Sequence, residues 1–184
     1  MVLREKLYTA DEFWDMLPEF ADGKRFELIE GVIVEMTGSR PINSKIGMLI
    51  GHFLLNFVLE HNLGHVLGAD GGYTLSPHNV RIPDVSFISS ARYPELPPRI
   101  EGGPDLAVEI ISPSESSQDV LKKVTLYFNA GTRLVWTVYP DLQMVYSYRP
   151  SDDGMSVRPI DMDGTLDGED VLPGFALKVS EIFK

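Results

Sequence analysis

Pro104-Asp-Leu-Ala-Val-Glu-Ile-Ile-Ser-Pro113 is the stretch whose reading decides the architecture. Between its prolines, Asp105 to Ile111 is apolar apart from two acids, as expected of a central strand covered on both faces. Period two places Asp105, Ala107 and Glu109 on one of those faces. An acid on such a strand needs a physical reason, because buried carboxylates are almost always paired.

Working outward, Ser112 to Gln118 turns into a helix that ends at Gly131, and Arg133–Tyr139 and Met144–Tyr148 read as two further strands. On the other side, Arg81 to Ile88 reads as one strand running through Pro83-Asp84, preceded by short strands at His65–Gly68 and Gly72–Leu75. Pro41 opens a helix whose apolar positions, from Ile42 through Ile46, Ile50 and Leu54 to Val58, follow a 3.6-residue period and end by Gly64. Arg25 to Glu30, Gly31 and Val32 to Met36 form a β-hairpin around a tight turn. Before it, Thr9-Ala-Asp-Glu12 has the spacing of a capping box and opens a short amphipathic helix that stops at Pro18. The segment from Tyr93 to Pro104 is too rich in proline for a sheet interior and reads as a loop. Beyond Pro150 the chain reads as an acidic, turn-rich stretch, then Leu172 to Val179 and a short terminal helix. These elements define a strand-rich α+β fold with a mixed sheet, expected to be one domain over residues 1–184.

Composition narrows the function. The chain has 184 residues and no cysteine, which excludes disulfides and thiolate metal sites and suits a reducing compartment. Met1 to Leu7 carries charges where a signal peptide needs an apolar core. The apolar run Ile46–Leu59 is interrupted by Gly51, His52 and Asn56 and falls short of the roughly 20 residues of a bilayer span. The expectation is a cytoplasmic protein that does not enter membranes. The net charge of −11 argues against a broad basic surface for a polyanion. Much of the acid, however, falls between Asp152 and Asp170. His61 and His65 are separated by Gly64, which breaks the spacing of a zinc pair. Asp161-Met-Asp163-Gly164 reads as a solvated acidic turn, since the full calcium-loop pattern is absent.

The chemistry lies elsewhere. Asp84 follows a proline that can aim it into a cleft, and Glu109 lies near the C-terminal end of the apolar strand. Two carboxylates from separate strands suit a hard divalent cation such as magnesium, which can activate water and neutralise charge at a phosphoryl group. Lys123, on the helix that follows Glu109, is the candidate to orient the attacking water or steady an oxyanion. Its bland alternative is an exposed lysine paired with Asp119, and Lys122 is its rival. Glu27 and Glu30 on the hairpin face opposite ways, and Glu27 is the better candidate for the site. Asp105 is a lesser metal candidate because it begins its strand.

Taken together, Arg25-Phe-Glu-Leu-Ile-Glu-Gly31, Val80-Arg-Ile-Pro-Asp-Val85, Pro104 to Pro113, and Lys123-Val-Thr-Leu-Tyr127 with Ala130-Gly131 resemble the Uma-two family. This is a group of restriction-endonuclease-like proteins in the PD-(D/E)XK nuclease superfamily. The resemblance implies a restriction-endonuclease-like core, with a central mixed β-sheet flanked by helices and the hairpin at its N-terminal side. It implies a magnesium- or manganese-dependent DNA endonuclease, with Asp84 and Glu109 on the metal and Lys123 and Glu27 completing the catalytic set. The superfamily usually carries its lysine two residues after the glutamate, where this chain has Ile111; family members resemble this chain in supplying it from the next helix. A homodimer is expected, because cutting both strands of a duplex is simplest with two sites related by a two-fold axis. The rival readings are a non-catalytic binding or assembly module on the same fold, and a hydrolase of small phosphorylated substrates.

Overall fold

The structure, a computed structural model, describes residues 6–20 and 23–184, so most of the charged stretch Met1–Leu7 lies outside it. Thr9 and Glu12 form the expected capping box, and it opens α1 (Ala10–Met16). Strands β1 (Arg25–Ile29) and β2 (Val32–Met36) pair around a two-residue turn. Glu30 (φ 51°) and Gly31 (φ 82°) both take left-handed backbone there, the geometry that matches the twist of a hairpin.

Helix α2 spans Pro41–His61 and closes on Asn62, whose φ of 55° supplies the left-handed cap. It is followed by β3 (Gly64–Gly68), β4 (Tyr73–Ser76), β5 (Asn79–Arg81), β6 (Val85–Ser89), β7 (Ile100–Glu101) and β8 (Leu106–Ile110). Helix α3 (Ser117–Asn129) then leads to β9 (Leu134–Tyr139), β10 (Met144–Ser151) and β11 (Gly154–Ile160). The chain ends with β12 (Thr165–Asp167), β13 (Ala176–Lys178) and α4 (Val179–Ile182).

The central sheet has six strands in the order β11-β10-β9-β8-β6-β3. It is mixed: β8 and β9 run parallel with α3 as their crossover, and the other pairs are antiparallel. All five residues of β8 are buried, as expected for a strand covered on both faces. Alternation sorts its side chains. Leu106, Val108 and Ile110 join the core beneath α2 through Ile46, Ile50, Leu54 and Val58, and α4 and β13 pack into the same layer. Ala107 and Ile111 join Val120, Val124 and Tyr127 of α3 on the opposite face. At Gly47 an added Cβ would come within 3.3 Å of Ile110 Cδ1. The absent side chain lets the first turns of α2 lie close over the end of β8.

Three expectations change. Arg81–Ile88 is two strands in different sheets: β5 joins the hairpin in a five-stranded sheet ordered β2-β1-β5-β4-β7, and β6 belongs to the central sheet. Pro83 lacks the amide a continuous ladder needs, and the chain changes sheets at that point. The stretch beyond Pro150 is not simply turns, because β10 runs on to Ser151 and pairs with β11 along its length. β11 is an exposed edge strand, so it shows little apolar alternation. Finally, α2 has 21 residues and is long and apolar enough by composition to cross a bilayer. In the fold its inner stripe of Ile46, Ile50, Leu54 and Val58 is fully buried against the sheet.

Candidate active site

The break between β5 and β6 builds one side of the site. Asp84 Oδ2 accepts a hydrogen bond from the Ile110 amide at 2.7 Å, so its carboxylate rests on the peptide that links Glu109 to Ile110. Burial raises its pKa, while the Ile110 hydrogen bond and Lys123 act in the opposite direction.

Glu109 is 7% exposed and points toward α3. Tyr127 donates to its Oε1 at 2.6 Å, and Lys123 Nζ donates to its Oε2 at 3.0 Å. Burial pushes the Glu109 carboxyl up to about 7; Lys123 lowers it, Asp84 raises it and the Tyr127 hydrogen bond lowers it again. Burial pulls on Lys123 the other way, but Glu109 and Glu115 outweigh it, so the ammonium is held above its ordinary value. Burial, reinforced by the Glu109 charge, lifts the Tyr127 phenol well above its usual range. The site therefore combines an acid of reduced acidity with a firmly protonated lysine and tyrosine.

Lys123 is not the exposed partner of Asp119. It bridges Glu109 and Glu115, 3.0 Å from each, whereas Asp119 is held by Ser116 at the start of α3. Ile111 explains how a helix can supply the lysine. It lies on the same strand face as Glu109 but is buried among Val120 and Val124. α3 packs on that face, and Lys123 descends from it to the position beside the glutamate. Lys122, one residue earlier, is exposed on the cleft wall.

Glu27 is 5% exposed. Its two oxygens accept from Arg81 Nη1 at 2.7 Å and from the Ile82 amide at 2.8 Å. It is close enough to raise the pKa of Glu109 slightly, and its direct contacts fasten the segment that presents Asp84. Glu30 is exposed in the hairpin turn. Asp105 is separate from the site. It precedes β8 at the end away from Glu109, accepts from the Ser89 amide at 2.8 Å and faces Arg92 and Arg133, each at 3.6 Å. His65 bonds the Tyr93 carbonyl and His61 the Phe57 carbonyl, so the histidines are occupied locally.

Sequence reasoning assigned no role to Tyr127, Glu115 or Arg81. The four-residue spacing of Lys123 and Tyr127, one helical turn apart beside a strand acid, was the available signal for the tyrosine. Nothing in the sequence pairs Glu115 or Arg81 with its partner.

These groups open into a cleft of about 1510 Å³ between the hairpin, α3 and the N-terminal end of α2. Arg25, Arg40, Arg81, Lys122 and Lys123 line it against seven carboxylates. None of the acids between Asp152 and Asp170 reaches it.

The donor set suits a hard cation. Asp84 and Glu109 offer only oxygen, and one or two carboxylates with the remaining positions left to water are enough for magnesium. Among the described residues, no group of three or more histidine, cysteine or acidic side chains forms a ready cage.

The mixed six-stranded sheet, with α2 on one face and α3 on the other, is the helix-flanked restriction-endonuclease-like core that the resemblance implied. The same fold is found in the crystal structure of a protein from Anabaena variabilis described as a "putative nuclease". That chain is 23% identical; the match covers 95% of this chain and 97% of that one, with a TM-score of 0.81. The sequence profile of the Uma2 family, described as "Putative restriction endonuclease", matches residues 10–180, and the chain belongs to this family. No protein of curated function matches it.

Proposed function

We propose that this protein is a divalent-metal-dependent DNA endonuclease with a PD-(D/E)XK-type site, and that magnesium or manganese is its ion. The observation that carries the reading is the meeting of Asp84, Glu109 and Lys123 at one strand end, with Lys123 3.0 Å from Glu109 and Asp84 bonded to the next peptide. Asp84 and Glu109 would hold the cation, which when bound supplies Lewis acidity toward a phosphoryl oxygen and its attacking water.

The protein groups divide the remaining work. Lys123 presents a protonated ammonium beside the acids, where it can steady the oxyanion or orient water. Tyr127 fixes one oxygen of Glu109, and Glu115 holds the lysine from its other side. Glu27 and Arg81 anchor the turn that carries Asp84. A cleft of about 1510 Å³ exceeds the roughly 300–1,000 Å³ of small-molecule sites, which favours a polymer over a small phosphorylated substrate. Membership of a family described as restriction endonucleases agrees with DNA.

The chain is read as one domain that works in the cytoplasm as a homodimer. Met48 (72% exposed), Leu55 (42%) and Leu59 (63%) form an apolar stripe on the outer face of α2 and support pairing there. The seven carboxylates in the cleft favour the second reading, a non-catalytic module, if no cation offsets them.

The test is cleavage of plasmid and duplex DNA with magnesium, manganese or chelator, alongside calorimetric titration of the ions. Wild type should cut only with metal. Lys123→Ala should lose about 100-fold or more in turnover, and Asp84→Asn should bind metal at least about tenfold more weakly. Metal binding that is equal in wild type and Asp84→Asn, or the absence of any cleavage, would overturn the assignment.

A further inference from the structure

The cleft continues past the carboxylates to the first turn of α2, which carries three unpartnered polar atoms. Arg40 occupies the N-cap position without capping the helix through its side chain. One guanidinium nitrogen, Nη1, lies 3.1 Å from Asp141, but Nε and Nη2 are shielded from solvent and have no hydrogen-bond partner. Asn43, one turn further on, is 4% exposed, and its buried amide oxygen has no partner either. Both residues line the cleft. Polar groups removed from solvent are almost always hydrogen-bonded in native proteins, so each orphan needs an explanation.

The placement of the turn supplies one. Asn43 precedes Gly47 by one helical turn on the inner stripe of α2, and Gly47 rests against Ile110 and Val85, the residues that follow Glu109 and Asp84. The start of α2 therefore overhangs the strand ends from the sheet face opposite α3. Arg40 is about 10 Å along the helix axis from that crossing, and Asn43 about 6 Å. At roughly 3.4 Å of axial rise per nucleotide, these lengths correspond to about two to three nucleotides of strand.

We propose that Arg40, Asn43 and the N-terminus of α2 form a subsite for a non-scissile backbone phosphate of the nucleic-acid strand, a few nucleotides from the cleaved bond. The assignment rests on the phosphodiester substrate proposed above. The Arg40 side chain is 40% exposed, and turning its guanidinium away from the exposed Asp141 carboxylate would bring the unpartnered Nε and Nη2 donors out to a phosphate oxygen. The Asn43 amide, turned about its last side-chain bond, offers an N–H to a second oxygen, and the helix end adds the Ile42 amide, since Pro41 has no N–H and the Asn43 and Ser44 amides bond the Arg40 carbonyl. Arg81 and Lys123 are already committed to Glu27 and to Glu109 and Glu115, so an anion held by this turn does not compete with the groups that serve the reaction.

The experiment is a scan of labelled duplexes carrying a single neutral methylphosphonate at successive positions. Affinity is followed by fluorescence anisotropy with calcium, and cleavage with magnesium. For wild type, one substitution a few nucleotides from the cut should weaken binding about tenfold. Arg40→Gln should weaken the unmodified duplex by a similar factor, mainly through KM, with the salt slope reduced by about 1. Combining the variant with the modified duplex should add no further loss. Asn43→Ala should show the same lack of additivity to a smaller degree, with folding checked by thermal melting. Asp141→Asn removes the ion pair but keeps the guanidinium, and should retain wild-type affinity. Additive losses, or wild-type affinity and salt slope in Arg40→Gln, would overturn the subsite, as would absence of DNA binding by wild type. A wild type that cuts nothing but binds DNA with this Arg40-dependent pattern would overturn the cleavage reading and uphold the subsite.

Discussion

Replacing Lys123 with methionine is expected to destabilise the protein by an amount that grows with pH. The lysine Nζ lies 3.0 Å from both Glu109 and Glu115, and its side chain is 19% exposed. Methionine keeps much of the aliphatic packing and removes the charge. In wild type the Glu109 carboxyl titrates at about 7 in the fold, against a reference value of 4.5. The folded state therefore binds more protons between those values. The contribution of Glu109 is most favourable below the lower value and is lost as pH rises through the upper one. Lys123 holds that carboxyl down, so its removal moves the upper limit higher and extends the loss into the alkaline range.

At about pH 5.5 the variant can keep Glu109 neutral, and the cost is near that of one hydrogen bond, about 1 kcal/mol. At about pH 8.5 the choice is between protonating against the solvent and burying an unpaired charge. The cost then approaches about 3–5 kcal/mol, the scale for breaking a buried pair. With about 2–4 °C per kcal/mol for a chain of this size, the melting deficit should widen from about 3 °C to about 10 °C or more. Urea and thermal denaturation with chelator at the two pH values measure it. An equal deficit at both would refute the reasoning. A surface lysine paired with Asp119 would leave less than about 0.5 kcal/mol at either pH.

Tyr127→Phe removes a buried hydrogen bond of 2.6 Å to Glu109; it should cost about 1.5–3 kcal/mol and raise the Glu109 titration, read by carbon-13 carboxyl shifts. Glu27→Gln weakens the anchor on Arg81 and Ile82; a loss of about 1–3 kcal/mol is expected in urea unfolding, together with weaker calorimetric metal binding because Asp84 is less firmly presented. Leu59→Glu on the outer stripe of α2 should convert the proposed dimer to monomer in light scattering, and a wild-type monomer across micromolar concentrations would exclude that dimer.

Much of this architecture was legible because it depends on local periodicity and on where chain direction must change. The run Asp105–Ile111, apolar apart from its two acids, the 3.6-residue stripe of α2, the capping box at Thr9 and the tight turn at Gly31 are each readable from neighbouring residues. Alternation along one strand also put Glu109 on the same face as Asp105 and Ala107. The long apolar α2 could not be bounded by composition alone, since its outer stripe is apolar as well. The exposed edge strand β11 shows little alternation because neither of its faces is deeply buried.

The sequence by itself nominated Asp84, Glu109 and Lys123 as candidates for one site, because residue types and positions along a strand or helix are local properties. Only the tertiary structure decided that Lys123 bridges Glu109 and Glu115, that Tyr127 grips the other oxygen of Glu109, and that Glu27 is held by Arg81. It also separated Asp105 from the site, although Asp105 shares a strand face with Glu109, because the two lie at opposite ends of β8. The division has a physical cause: parity fixes the direction of a side chain, whereas its partners come from elements distant in sequence and are set by how helices and sheets pack.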